Sequence, residues 1–282
     1  MTRYADLHIH TFYSDGTDSP EEVVRQAKAK RLSCIAISDH DTLDAIEPIL
    51  PVAADAGIEV LTGIELSTEH EGKDVHILGY CFDHHNEGFI ARIREFQQAR
   101  LERIKDILDK LKGHGIDNIT LEEIQAMTKS DSLGRPHVAK KLIEKGWVRD
   151  NREAFERYLA EDGLAYVAKF RQTPREAIEL LHAAGGVAVM AHPMVTKKDQ
   201  IIPELVEAGL DGLEVFYPNF SQSVIMYYKT IAEKYQLLMT GGSDAHGKAK
   251  TNTSIGKKKI PYELVEKIKQ AAQKRQGPQA GV

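Results

Sequence analysis

Short apolar runs separated by helix-period segments recur along this chain, and that alternation restricts the fold more than any other feature. The runs occupy residues 5–10, 34–38, 59–66, 75–82, 187–191, 213–216 and 237–240. Each has the length of a buried strand. Helix signals stand between them. Ser19-Pro20-Glu21-Glu22 offers a serine N-cap with proline at the first helical position. Thr173-Pro174-Arg175-Glu176 repeats the device, and Gly185-Gly186 should stop that helix. The pattern predicts βαβ units and a parallel sheet or barrel.

The rhythm fails between residues 87 and 165, where no strand pattern stands out. Ile90, Ile93, Phe96, Leu101, Ile104, Ile107, Leu108 and Leu111 outline one long amphipathic helix. Shorter helices are expected around 121–127, 136–145 and 152–160. The reading is a barrel made by residues 1–86 and 169–282, interrupted by a helical insertion at 87–168. A chain of 282 residues buries such a core without staples. Its two cysteines, Cys34 and Cys81, cannot build a disulfide framework or a cysteine-rich zinc module. With 37 basic against 42 acidic residues the net charge is -5, which argues against a large nucleic-acid surface. No basic-then-apolar leader is visible, and no run reaches the ~18 apolar residues of a membrane span. A cytoplasmic protein without a membrane partner is expected; its oligomeric state is left open.

Polar residues inside the apolar runs carry the chemistry. In Asp6-Leu7-His8-Ile9-His10, residues two apart on a strand share a face, so His8 and His10 project together. Alone this reads more readily as two polar residues on a solvated face than as a metal clamp. Asp15 follows five residues on. Asp39-His40-Asp41 closes the second run, where barrel strands collect catalytic groups. Glu65 interrupts an apolar run, and a buried carboxylate needs a cation or a proton. His76 and His192 stand in or after two further runs, and Asp244 and His246 follow the last one. Six imidazoles and three carboxylates are too many ligands for one metal and suit two or three. The mixed nitrogen and oxygen set fits Mn, Fe or Zn, with manganese preferred.

These motifs resemble the polymerase-and-histidinol-phosphatase (PHP) superfamily. The matching stretches are Asp6-Leu-His8-Ile-His10-Thr, Ser14-Asp15-Gly16, Ser38-Asp39-His40-Asp41, Gly63-Ile-Glu65, His76-Ile-Leu-Gly79, Ala191-His192-Pro193 and Ser243-Asp244-Ala-His246. The resemblance implies a distorted (β/α)7 TIM-like barrel with a trinuclear centre. One metal would take His8, His10, Glu65 and Asp244; a second would take Asp15, His40 and His246. A third would take Glu65, His76 and His192, with Glu65 bridging. Three divalent ions against three carboxylates leave a pocket of about +3 by formal counting. Such a centre generates hydroxide near neutral pH and holds phosphoryl oxygens. Asp39, His246 and Asp244 are the catalytic candidates, with Asp39 either moving a proton or orienting a ligand imidazole.

The insertion contains Gly134-Arg135-Pro136-His137, and a Tyr-Val-x-Lys stretch follows at Tyr166. Both resemble the PHP subgroup that removes the 3′-phosphate of nucleoside 3′,5′-bisphosphates, some of whose members trim short RNA. Arg135, His137, Lys169 and Arg171 are therefore the expected substrate contacts, because arginine forks match phosphate oxygens. Tyr166 or Phe170 would stack the base. Histidinol phosphate is the nearest rival substrate, but its single phosphate leaves a second basic cluster unexplained. An amidohydrolase is disfavoured because no strand offers a bridging lysine, and a non-catalytic metal module because no ligand is missing.

Overall fold

The computed structural model describes residues 2–168, 172–250 and 253–277. Among the described residues nine strands form two sheets. The first has the order β3-β2-β1-β9, built from β1 (Tyr4–Ile9), β2 (Cys34–Ile37), β3 (Glu59–Leu61) and β9 (Ile260–Pro261). The second has the order β4-β5-β6-β7-β8, built from β4 (Gly63–His70), β5 (Lys73–Tyr80), β6 (Val187–Met190), β7 (Gly212–Phe216) and β8 (Leu238–Gly241). Eleven α-helices occur among the described residues. They are α1 (Pro20–Ala29), α2 (Ile46–Ala56), α3 (Glu87–Gly113), α4 (Leu121–Gln125), α5 (Arg135–Glu144), α6 (Asn151–Ala154), α7 (Pro174–Ala183), α8 (Pro193–Thr196), α9 (Ile202–Glu207), α10 (Gln222–Lys234) and α11 (Tyr262–Gln276). None is long and apolar enough to cross a membrane.

The architecture is a mixed α/β fold, and it departs from the expected closed barrel in three ways. The apolar run at 59–66 is two strands, and the chain changes sheets between Leu61 and Gly63. β5 runs antiparallel to both β4 and β6, and β9 is antiparallel to β1. The two sheets meet only at single bridges, Ile9–Ala245 and His40–Glu65, so no continuous closed barrel forms among the described residues. A two-residue turn explains the antiparallel pair. Glu71 and Gly72 both have positive φ, 48° and 76°, as a tight hairpin of this hand requires. β5 therefore enters the site from its N-terminal half, which is why His76 sits early in its strand.

The capping signals act as their spacing demands. Ser19 Oγ accepts from the Glu22 amide at 3.3 Å while the Glu22 carboxylate accepts from the Ser19 amide at 2.9 Å. Thr173 and Glu176 repeat this at 3.2 and 2.7 Å. Each such cap is worth about 1 kcal/mol. Residues 87–168 contain no strand among those described. The long helix α3 belongs to two cores. Phe89, Ile93 and Phe96 pack with Ile64, Ile77 and Met190 of the second sheet. Ile104, Ile107 and Leu111 pack instead with Ile124, Val138 and Leu142 of the shorter helices. The insertion thus has its own core but is levered onto the sheets by the first turns of α3.

Candidate metal centre

Strand ends from both sheets bring the nine expected ligands together. His8 Nε2 and His10 Nε2 are 3.1 Å apart, and each is 3.2 Å from Glu65 Oε2. Asp244 Oδ1 lies 3.5 and 3.3 Å from the same nitrogens. Beside them, Asp15 Oδ1 is 3.2 Å from His246 Nε2, and Asp15 Oδ2 is 4.0 Å from His40 Nε2. On the other side Glu65 Oε1 is 2.8 Å from His76 Nδ1 and 3.0 Å from His192 Nε2. Ligand atoms about 2.0–2.2 Å from a shared ion stand roughly 3.0–3.5 Å from each other at tetrahedral or octahedral angles. Most of the observed spacings fall in that range. Within this cluster three groups can each hold one ion: His8-His10-Glu65, His10-Asp15-His40-His246 and His40-Glu65-His76. His10 joins the second group and His40 the third, beyond the three ligand sets expected from the resemblance.

The donor set is unsatisfied in a way that fits bound cations. Among the described residues nine buried side-chain atoms lack hydrogen-bond partners, and five belong to these ligands: His10 Nδ1, Asp15 Oδ1, His40 Nδ1, His192 Nδ1 and His246 Nε2. Buried polar atoms are normally paired, so such a concentration marks a site built for a ligand. The charges tell the same story. Burial alone would push the Glu65 carboxyl up, but the imidazoles of His40, His76 and His8 hold it well below the usual carboxylate range. Burial opposes charge on His10 as well, yet Asp244 and Glu65 raise its pKa to about 9.

A second layer of residues fixes the ligands. Glu214 in β7 is fully buried; its Oε1 is 2.9 Å from His8 Nδ1 and its Oε2 accepts from the His192 amide at 2.8 Å. His8 Nδ1–H is thereby committed as donor and Nε2 is left as the ligand atom. Sequence reasoning missed Glu214, although a carboxylate inside an apolar run was the same signal that picked Glu65. Asp6 accepts from the amides of Ser243 and Gly256, both at 2.8 Å, and from Ser243 Oγ at 2.6 Å, which ties the Asp244 loop to β1. Tyr217 donates to Asp244 Oδ2 at 2.7 Å. Gly242 lets this loop pass over β1, since a Cβ there would sit 2.4 Å from the His8 amide nitrogen. His192 and Asp244 adopt positive φ, 27° and 46°, a strained region for such residues that is common at functional sites.

The remaining expected residues have mixed fates. Asp39 is buried and accepts from the Thr11 amide at 2.7 Å and from Thr11 Oγ1 and Ser14 Oγ, both at 2.5 Å. Its oxygens hold the loop that carries Asp15 and make no hydrogen bond to a ligand imidazole. His246 Nδ1–H donates to the Asp244 carbonyl at 2.8 Å, so Nε2 keeps its lone pair toward Asp15, the orientation of a ligand rather than of a proton donor. His137 is corrected most. Its Nδ1 accepts from the Gly134 amide at 3.0 Å and its Nε2–H donates to the Ser14 carbonyl at 2.9 Å. Neither nitrogen is left for a phosphate; the residue pins α5 to the metal loop. Thr128 and Ser130 add hydrogen bonds to the Phe12 and Tyr13 carbonyls, and Ser132 adds one to the His40 carbonyl. Lys169, Phe170 and Arg171 lie outside the described residues.

Arg135 donates to the Leu159 carbonyl at 3.0 Å, lies 3.4 Å from Asp74 and lines a cavity of about 560 Å³ with His76 and His192. Tyr166 and Phe155 line the same cavity. Arg103, which the sequence did not single out, joins them. Its Nε donates to the Val167 carbonyl at 2.9 Å, while its buried Nη2 has no partner. Burial and the neighbouring Arg135 and Arg100 lower its pKa to about 10.

A cluster of imidazoles and carboxylates beside a cavity that presents Arg103 and Arg135 is the site of a metal-dependent hydrolase of phosphoric esters. The chain belongs to the PHP domain family, whose model matches residues 6–271. It is similar to a 5′-3′ exoribonuclease from Haemophilus influenzae, with 35% identity over 87% of this chain and 91% of that one. A 3′,5′-nucleoside bisphosphate phosphatase from Chromobacterium violaceum is 29% identical over 89% and 90% of the two chains. A phosphoribosyl 1,2-cyclic phosphate 1,2-diphosphodiesterase from Eggerthella lenta is also 29% identical, over 86% and 94%. Among solved structures, a Bifidobacterium adolescentis protein assigned as a metal-dependent phosphoesterase superposes with a TM-score of 0.86 and 31% identity, covering 95% of this chain and 96% of that one.

Proposed function

We propose that this PHP phosphoesterase removes the 3′-phosphate of nucleoside 3′,5′-bisphosphates. In this reading residues 1–86 and 169–282 make a distorted (β/α)7 barrel, and 87–168 act as its substrate cap. The observation that carries the reading is Arg103: a buried guanidinium whose Nη2 has no partner, beside Arg135, in a cavity that also reaches His76 and His192. A buried unpaired donor on a cation is costly, and a second phosphate of the substrate would satisfy it. A substrate with one phosphate would leave it unmet. The Chromobacterium violaceum relative supports the same choice by its name.

His8, His10, Glu65 and Asp244 would hold one divalent ion, Asp15, His40 and His246 a second, and Glu65, His76 and His192 a third. When bound, such ions supply a hydroxide nucleophile near neutral pH and stabilise charge building on the phosphoryl oxygens. The chain's own residues do the rest. Glu65 turns one oxygen to each side of the cluster, so it can hold two neighbouring ions at a fixed spacing. Glu214 orients His8 through Nδ1 and steadies the His192 backbone. Asp39 fixes the Asp15 loop through Thr11 and Ser14. Arg103 and Arg135 orient the 5′-phosphate, and Tyr166 faces the cavity where the nucleoside would lie. Ser130 and Ser132 hydrogen-bond to the Tyr13 and His40 carbonyls and hold the cap beside the cluster.

Phosphate release with Mn²⁺ across adenosine 3′,5′-bisphosphate, adenosine monophosphates and histidinol phosphate tests this. The bisphosphate should be favoured, and replacing Arg103 by Met should remove that preference. Equal rates on bisphosphate and monophosphate by the wild type would contradict it.

A further inference from the structure

Another set of metal-competent side chains stands apart from the cluster. It consists of Glu47, His84 and His85, whose ligand atoms all lie within 4.8 Å of one another. Among the described residues it is the only such group that shares no member with the cluster. Glu47 occupies the first turn of α2, and His84 and His85 form the turn between β5 and α3. His84 Nε2 is 2.8 Å from Glu47 Oε1, and His85 Nε2 is 3.5 Å from the same oxygen.

Adjacent side chains on an extended segment point to opposite faces. These two imidazoles instead lie side by side, with ring centroids 4.0 Å apart. The turn sets them that way. The Asn86 amide donates to the Asp83 carbonyl at 3.2 Å, and Asp83 Oδ1 accepts from the His85 amide at 2.9 Å. The Asp83 amide donates to the Ala184 carbonyl at 2.8 Å, which fixes the turn to the end of α7. Phe82 and Phe89, on either side of it, are buried and stacked with 4.9 Å between ring centroids. The two nitrogens therefore converge from a firm base. A plain ion pair explains this arrangement poorly. Glu47 needs one imidazolium, and two imidazolium ions so close would repel each other. Two neutral imidazoles and a carboxylate that meet at one point are instead the donors of a divalent ion. Two nitrogens and one oxygen, with water in the fourth place, suit tetrahedral Zn²⁺, whereas Mn²⁺ holds such donors most weakly. Glu47 and His85 are exposed and His84 is half-buried, so an ion has open access and Glu47 has room to swing back around it.

We infer that Glu47, His84 and His85 bind one zinc-class divalent ion, apart from the hydrolytic centre, and that this ion ties α2 to the root of α3. Helix α2 packs against β1 and β2 of the first sheet through Ile49 and Ala53. Phe82 and Phe89, which flank the histidines, pack into the core of the second sheet with Ile64 and Ile77. The strands of the two sheets are joined only by single bridges among the described residues. An ion held from both sides adds a link across that seam, at the point from which α3 carries the helical cap away. The inference is independent of which phosphoester the protein hydrolyses.

The test uses Mn²⁺-loaded holoenzyme as wild type, H84Q/H85Q and E47Q. Glu47 is exposed, so at least the E47Q protein should fold normally. Before zinc is added all three should hold the same manganese. Each is then dialysed against buffered free Zn²⁺ over a range of concentrations. Zinc and manganese are counted together by inductively coupled plasma mass spectrometry, so that exchange of one for the other at the hydrolytic centre leaves the sum unchanged. The wild type should gain one equivalent more than H84Q/H85Q. E47Q should need about 100-fold more free zinc to gain it, because a lost ligand costs at least as much as a lost partner that orients one. The unfolding midpoint of the wild type should rise with zinc beyond any rise in H84Q/H85Q, since an ion that binds only the folded chain stabilises it. Equal total metal in wild type and H84Q/H85Q would overturn the site. An extra equivalent that E47Q holds equally well, or that brings no added rise in midpoint, would show a bare histidine pair and overturn the link between α2 and α3.

Discussion

The metal cluster and the helical cap are built on opposite principles. The cluster takes its side chains from strand ends of two sheets, buries five of the nine, leaves the other four half-buried and sets nitrogen and oxygen mostly within 3.5 Å of each other. The cap takes its arginines from α3 and α5, where each has neighbours on a helix surface and one, Arg103, keeps a buried donor unpaired. Carboxylates inside strands are costly in any state without cations, so the cluster makes sense only as a binding device. Arginines on an amphipathic helix are common without any ligand, so the cap makes sense only once its fold shows which face they turn inward. In the proposed reading one region does chemistry, and the other selects what reaches it.

Substitutions should separate the two. The largest effect is expected at Glu65. Glu65→Gln removes the carboxylate shared by both sides of the cluster, so turnover on every phosphoester should vanish and bound metal should drop; retention of both would break the distinction. Glu214→Gln should weaken metal affinity or activity by about 10- to 100-fold, the usual cost of losing a partner that orients a ligand imidazole. A chelator titration followed by activity checks it. Arg103→Met should lower kcat/KM for a nucleoside bisphosphate by about tenfold or more, the loss of one charge-assisted contact, with much less effect on a monophosphate. The smallest effect is at the clamp between the regions. Ser132→Ala removes one hydrogen bond to the His40 carbonyl and should cost about 1 kcal/mol in thermal unfolding.

The same contrast decides what the sequence could reveal. His8, His10, Glu65 and His76 were legible because polar residues in apolar runs violate the expected pattern, and Asp244 because it follows directly on the last run. Glu214 carried that signal too and shows that the rule deserved wider use. The sheet order was not legible. The Glu71-Gly72 turn reverses the chain through two polar strand ends that look like loop, and it makes β5 antiparallel where strand–helix alternation implies parallel neighbours. Arg103 was passed over although it stands seven residues after Phe96 and four before Ile107, on the stripe that α3 buries. His137 misled because an imidazole beside an arginine at a helix start suggests an anion contact, whereas local geometry gives both its nitrogens backbone partners.

Metal content tests the separation most directly. Wild type, Glu65→Gln and Arg103→Met proteins, loaded with Mn²⁺ and desalted, would be measured by inductively coupled plasma mass spectrometry. The account predicts two or three equivalents in the wild type, the same in the Arg103 protein and a loss of at least one in the Glu65 protein. Equal content in all three proteins would contradict a centre organised around Glu65.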